Sequence, residues 1–209
     1  GISRRVAAIG VEVTPADAGY EIHLEILTEP FAALKQRRRY MSGRSGCGLC
    51  GKESLEQALM PLPRLADTPK PSLGAIQKAV NSLRGLQPIQ QQTSASHAAV
   101  WCDAEGNLGL LREDVGRHNA LDKLIGALAG QRRNSAPPNA ASQSGFVLIT
   151  SRASYEIVAK TAIAGVGSLV ALSAPTSLAV ETALRCNLNL IAFAGAAPMV
   201  YAESTACSP

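Results

Sequence analysis

The chain predicts an α/β protein with a mixed, largely parallel sheet covered by helices. After residue 145, short apolar runs alternate with helix-length segments: strand 146–150, helix 154–164, strand 168–172, helix 176–186 and strand 188–193. Such alternation implies right-handed crossovers, parallel strands and helices lying on the sheet faces. Composition agrees: 209 residues, 46% hydrophobic and 17% charged, can bury a sizeable core.

The elements before this alternation follow in order. Residues 5–13 and 20–27 predict two strands around a turn from Pro15 to Gly19. In the second, Tyr20, Ile22, Leu24 and Ile26 alternate with Glu21, His23 and Glu25, the pattern of a half-buried strand. Residues 52–60 predict a helix and 61–71 a connector. Ser72 is positioned to cap a helix whose Leu73, Ile76, Val80 and Leu83 share one face and which ends near Gly85. Residues 87–96 predict a polar loop. A hairpin of 98–103 and 108–112 turns at Glu105-Gly106-Asn107, and a helix runs from about Gly116 to Leu128. Residues 130–145, with Pro137-Pro138 and several Ser, Asn and Gln, predict a flexible insertion. The expected organisation is an N-terminal region 1–71 holding the hairpin and a basic run, and an α/β domain 72–209.

A net charge of +4 and a pI near 8.9 favour an anionic partner without requiring nucleic acid. One Trp, four Tyr and three Phe are too few for a base-stacking platform, so no nucleic-acid partner is expected. The five cysteines, Cys47, Cys50, Cys102, Cys186 and Cys207, form an odd, unevenly spaced set in a chain too long to need disulfide staples. That usage points to a reducing compartment. With no membrane-length apolar stretch and no signal core, a cytoplasmic protein with no membrane partner is expected.

Cys47 and Cys50 lie in Gly-Cys-Gly-Leu-Cys-Gly. The charged residues from Lys35 to Lys52 are Lys35, Arg37, Arg38, Arg39, Arg44 and Lys52, with no carboxylate before Glu53. Neighbouring cations and a following helix N-terminus lower a thiol pKa, and the thiolate is the form that attacks sulfur or binds metal. The residues alone leave four readings open: a zinc site, dithiol redox, inert thiols and persulfide carriage. A structural zinc needs four ligands, and no second CxxC or finger-spaced His pair is present. A thioredoxin-like motif follows a strand, whereas a basic run precedes this one. His23-Leu24-Glu25 upstream of the two cysteines imitates the zinc-deaminase signature, but Gly46 stands where that signature has proline, and His23 and Glu25 fall on the polar side of their strand.

Two further constellations carry polar chemistry. Asp114, His118 and Asp122 are spaced four apart, so a helix starting early enough would hold His118 between carboxylates; an exposed ion-paired face is the plainer reading. His97, alone before a strand, is expected to be structural. The turns 150–154 and 173–177 are rich in hydroxyls and each leads from a strand into a helix. Free amides at helix starts bind anions, and Arg152, Ser173 and Thr176 stand in these turns; ordinary capping is the plainer alternative.

Four stretches, 37–51, 113–124, 151–160 and 173–181, together resemble the formate dehydrogenase accessory sulfurtransferases, the FdhD family. They are carried by Gly-Cys-Gly-Leu-Cys-Gly, Glu-Asp-Val-Gly-Arg-His-Asn-Ala-Leu-Asp-Lys, Ser-Arg-Ala-Ser-Tyr-Glu and Ser-Ala-Pro-Thr-Ser-Leu-Ala-Val-Glu, in the family's order. The resemblance implies a cytidine-deaminase-like layered fold and a homodimer. It implies a carrier that takes sulfane sulfur from a cysteine desulfurase and delivers it to the molybdenum cofactor of formate dehydrogenase, Mo-bis(molybdopterin guanine dinucleotide). It places the persulfide on Cys47, with Cys50 as its CxxC partner. Part of the cofactor site falls on Phe193, Ala194, Gly195, Ala196, Ala197 and Pro198, to which Arg152, Ser173, Thr176 and His118 are added as candidates. The chain departs from the family in lacking a cationic side chain at 193–198 and in starting late relative to family members. The competing expectations are a non-catalytic cofactor chaperone and a CxxC dithiol oxidoreductase.

Overall fold

The computed structural model describes residues 8–16, 19–28, 31, 61–134 and 144–205, with 8, 9 and 132–134 described by their backbone alone. The predicted helix at 52–60, the thiols Cys47 and Cys50, the cations Arg44 and Lys52, and residues 135–143 of the insertion lie outside this set. The chain divides into two compact units, 1–60 and 61–209.

In the first unit, β1 (Ala8–Ala16) pairs antiparallel with β2 (Gly19–Ile26), and Val11 faces Leu24 while Val13 faces Ile22. The turn falls where Pro15 and Gly19 predict it, and Gly19 has φ +146°, a conformation disfavoured for residues with a Cβ. The expected half-burial of β2 is not found: Tyr20, Ile22 and Leu24 are 75%, 63% and 53% exposed. His23 and Glu25 are also exposed, His23 lying 3.5 Å from Glu21. That is the solvated arrangement expected on a strand's polar side.

The second unit is built on a six-stranded sheet in the order β4-β3-β5-β6-β7-β8. Its strands are β3 (His97–Asp103), β4 (Leu108–Asp114), β5 (Gly145–Ile149), β6 (Ser168–Ala171), β7 (Asn189–Ala192) and β8 (Met199–Ala202). Only β5–β6 and β6–β7 are parallel; the other three pairings are antiparallel, which corrects the expectation of a largely parallel sheet. The physical reason lies at the two ends, where a tight hairpin adds β3 and β4 and a short return adds β8. At the hairpin turn Gly106 has φ +80°, and a Cβ there would collide with the Ala75 carbonyl oxygen. Asp103 secures the turn by accepting from the amides of Glu105 at 3.0 Å and Asn107 at 2.8 Å.

Among the described residues of the second unit, five helices accompany the strands: α1 (Leu73–Leu83), α2 (Pro88–Thr93), α3 (Arg117–Asn134), α4 (Tyr155–Ile163) and α5 (Ser177–Cys186). Strand alternation sorts the core into two layers. Val147, Ile149, Leu169, Ala171 and Leu190 face α3, α4 and α5 through residues such as Leu121, Leu124, Ile157, Val158 and Ala183. Phe146, Leu148, Val170 and Ile191 face the other way and meet α1 at Ile76, Ala79, Val80 and Leu83. Ser72 caps α1 by accepting the Ala75 amide at 3.1 Å, as expected, but Leu73 is 59% exposed and Ala75 and Ala79 take its place on the buried face.

Two expectations fail for tertiary reasons. Residues 87–96 contain α2 because Pro88 suits a first helical position and the buried carboxylate of Glu113 accepts the amides of Ile89 at 3.0 Å and Gln90 at 2.9 Å. Residues 61–71 are the connector expected, without helix or strand, but they belong to the second unit and not to the first. Leu65 donates its amide to the Cys186 carbonyl at 2.8 Å, and Asn187 Nδ2 donates to Leu65 O and Asp67 Oδ1. Fully buried Asn189 donates to Thr68 O at 2.9 Å and accepts from the Ser204 amide at 2.8 Å. These contacts place 61–71 with the second unit and move the boundary from 71/72 to 60/61.

Candidate functional site

Strand directions bring the candidate residues to one edge. β3 is antiparallel to both β4 and β5, and β5, β6 and β7 are parallel, so the C-terminal ends of β4, β5, β6 and β7 lie at one edge of the sheet, with the start of β3 between those of β4 and β5. α3, α4 and α5 each follow one of these strands and pack on the same sheet face. Their N-termini therefore start from that edge. Amides at helix starts and the ends of parallel strands form a site suited to anionic ligands.

The turns after β5, β6 and β7 are held against one another. Leu172 donates its amide to Ile149 O at 3.0 Å, Thr176 donates to Ala153 O at 3.0 Å, and Ala153 forms a parallel bridge with Pro175. Arg152 is exposed, Ser173 is half-buried, and the exposed Thr176 caps α5 by accepting the Ala179 amide at 3.2 Å. The next turn begins at Phe193, whose φ of +58° is unusual for a bulky residue. Within it Ala194 is buried and donates its amide to Ala171 O at 3.1 Å, and Ala196 donates to Phe193 O at 3.0 Å. Gly195 and Ala197 are exposed and Pro198 is half-buried. The structure thus assembles Arg152, Ser173, Thr176 and 193–198 into one strip, in which two of the 193–198 amides are already bonded within the fold.

His118 reaches this edge by another route than the expected stripe. Asp114 is the last residue of β4, not part of α3, and it accepts the Gly116 amide at 2.9 Å and pairs with Lys123. Asp122 pairs with Lys160 of α4. His118 instead points to α4, where its Nε2 lies 3.1 Å from Glu156 Oε2. Nε2 is nonetheless left without a hydrogen bond, and the pair is ionic only when the ring is protonated. Burial pushes the His118 pKa down, the Glu156 carboxylate opposes this, and Arg117 and Lys160 reinforce it. Asp114 is held below the usual carboxylate range by its hydrogen bond to Lys123, aided by the Gly116 amide.

Sequence reasoning did not foresee Glu156, nor the unpartnered hydroxyl of Ser154 at the start of α4. The signal was present in Ser-Tyr-Glu just after Arg152, but pairing across two helices is not visible in local spacing. Among the described residues the thiols are chemically quiet. Cys102 is buried, its pKa pushed up to about 12 by burial and by Asp103, and burial also raises that of Cys186. No group of three or more His, Cys, Asp or Glu that could hold a metal occurs among the described residues.

Fold and edge define a layered α/β protein with a candidate site for an anionic ligand at the ends of its parallel strands. The chain belongs to the FdhD/NarQ family, whose sequence model matches residues 2–207. It is 48% identical over 92% of its length to a sulfur carrier protein FdhD of Bordetella petrii, covering 67% of that protein. It is 50% identical over 84% of its length to a sulfur carrier protein FdhD of Xanthomonas euvesicatoria, covering 60% of it. The chain thus spans roughly two thirds of these relatives' length. A crystallised protein from Desulfotalea psychrophila, assigned as a formate dehydrogenase accessory protein, shares the fold with a TM-score of 0.62 at 22% identity, over 92% of this chain and 68% of that one.

Proposed function

We propose that this chain is a sulfur carrier serving formate dehydrogenase, loaded by a cysteine desulfurase in the cytoplasm. The observation that carries the reading is the family match through residues 2–207, which spans Cys47 and Cys50, together with sulfur carrier relatives at 48–50% identity. The thiolate of Cys47 attacks the terminal sulfur of the donor's persulfide. The donor's S–S bond breaks, the donor cysteine leaves as thiolate, and Cys47 becomes Cys47–S–SH. Lys52, Arg44 and the basic run favour these anionic sulfur species.

Delivery as sulfide needs two electrons, because the carried sulfur is sulfane. Attack of the Cys50 thiolate on Cys47 Sγ supplies them: the terminal sulfur leaves as hydrosulfide for the acceptor, and a Cys47–Cys50 disulfide remains. A dithiol reductant then restores both thiols. The acceptor substrate is Mo-bis(molybdopterin guanine dinucleotide), whose pyrophosphate suits the strip formed by Arg152, Ser173, Thr176 and the 193–198 turn. Exposed Arg152 and the helix starts of α4 and α5 support this placement, and the absence of a cation at 193–198 leaves charge neutralisation to Arg152.

In cells deleted for their own sulfur carrier, the chain is expected to restore formate dehydrogenase activity while Cys47→Ala restores none. Retained activity with Cys47→Ala would remove Cys47 as the carrier.

A further inference from the structure

Two buried carboxamides clasp the connector to the end of the sheet away from the strip. Asn187 Nδ2 donates to Leu65 O at 3.1 Å and to Asp67 Oδ1 at 2.8 Å, while its Oδ1 accepts the Thr205 amide at 2.9 Å and the Thr205 hydroxyl at 3.1 Å. Asn189 Nδ2 donates to Thr68 O and to Ser168 Oγ, while its Oδ1 accepts the Ser204 amide. Each side chain thus bonds residues 65–68 through its amino group and the segment after β8 through its oxygen, which requires a group that both donates and accepts. The left-handed C-cap of α5 accounts for an asparagine at 187, but not for the one at 189 or for the bonds to the connector. Fully satisfied buried networks of this kind rigidify the chain and select one arrangement of it.

That arrangement decides the face on which the chain arrives. Leu62 and Leu65 pack on the core layer shared by α3, α4 and α5, whereas α1, which begins directly after the connector, packs on the other layer. Between them Thr68 passes the start of β6, where a Cβ on Gly167 would collide with it, and the start of β7 at Asn189. Residues 61–71 are therefore a strap around the N-terminal ends of two parallel strands. The chain that follows Cys47 and Cys50 joins the second unit on the face where α4 and α5 start from the strip. With the clasp open, the hold passes to Ser72, the cap of α1 on the opposite face. Leu65 lies fifteen residues beyond Cys50 and Ser72 twenty-two. Encounter between two sites on one chain falls roughly as the −3/2 power of the length joining them, so the added length alone lowers it about twofold.

We propose that Asn187 and Asn189 are positioning residues for sulfur delivery, holding the strap so that the thiol-bearing chain enters on the helix face that carries the anionic strip. This rests on the proposed function and adds what governs delivery after Cys47 has been loaded.

The full chain is tested in cells deleted for their own sulfur carrier, reading formate dehydrogenase activity at matched carrier level. On the purified chain, sulfur gained at Cys47 from a cysteine desulfurase and cysteine is measured, with hydrogen exchange at the Leu65 amide. Asn187→Asp keeps the acceptor for Thr205 and suits left-handed backbone, but it removes the donor and sets a second carboxylate against Asp67. It is expected to speed exchange at Leu65, leave sulfur loading unchanged and lower dehydrogenase activity to about half or less. Adding Asp67→Asn reverses donor and acceptor at that contact and restores the activity. Leu65→Pro, which removes the amide that the Cys186 carbonyl accepts, opens the strap by a second route with the same effect. Full dehydrogenase activity in both Asn187→Asp and Leu65→Pro overturns the positioning role and leaves the proposed function standing. Activity lost together with sulfur loading, or lost without faster Leu65 exchange, also overturns it. An unmodified chain that gains no sulfur overturns the proposed function and this inference with it.

Discussion

His118 shows how a single side chain couples this fold to pH. Its burial, the largest influence, lowers its pKa from the usual 6.5 despite the Glu156 carboxylate at 3.1 Å. An unfolded imidazole takes up its proton near 6.5, whereas the folded one does so only at lower pH. Between these points the unfolded state holds more protons, so stability falls as pH drops through about 6.5. Asp114, lowered chiefly by Lys123, and Asp103, lowered chiefly by Asn107, act in a separate window. Their contribution is present above about pH 4 and is lost as pH falls further. In urea unfolding, His118→Gln is expected to flatten the stability profile between pH 7 and its acid shoulder while leaving the loss below about pH 4 in place. An unchanged profile near neutrality would assign the acid sensitivity to another group.

At the scale of elements, Glu113 ties three pieces of chain together. Its carboxylate accepts from Ile89 N, Gln90 N and Ser96 Oγ, so a residue on β4 caps α2 from outside. Truncating it removes the partner of the part-buried Ile89 and Gln90 amides, a loss of two charge-assisted hydrogen bonds worth about 1–3 kcal/mol. Glu113→Ala should therefore speed hydrogen exchange at the Ile89 and Gln90 amides while α4 and α5 keep their protection. Unaltered exchange at those two amides would show that α2 stands on its own propensity. The same contact explains why α2 was not readable in the sequence: a six-residue helix with three consecutive glutamines has no local signal, and its cap comes from 24 residues away. β5, α4, β6, α5 and β7 were readable because each carries its own period and each helix start its own Ser or Thr. β8 was not, since Met199 to Ala202 gains strand character only by pairing with β7.

For the whole molecule, the division at 60/61 separates the thiol-bearing region from the sheet edge that gathers the polar candidates. Spacing alone identified the turns of Arg152, Ser173 and Thr176, because strand ends of a parallel array must share an edge, whereas 193–198 rested on the family resemblance. It misassigned the partners of His118, because Asp114 ends a strand and α3 starts three residues later. A carrier must hold sulfur on one unit and meet an acceptor, and the account assigns these tasks to Cys47 and to the strand-end strip. Its central claim is that Cys47 takes up sulfur. Mass spectrometry of the chain after incubation with a cysteine desulfurase and cysteine tests this most directly. The account predicts one additional sulfur mapped to the peptide containing Cys47 and absent in Cys47→Ala. A Cys47–Cys50 disulfide with no sulfur gained, or an unmodified peptide, would contradict it.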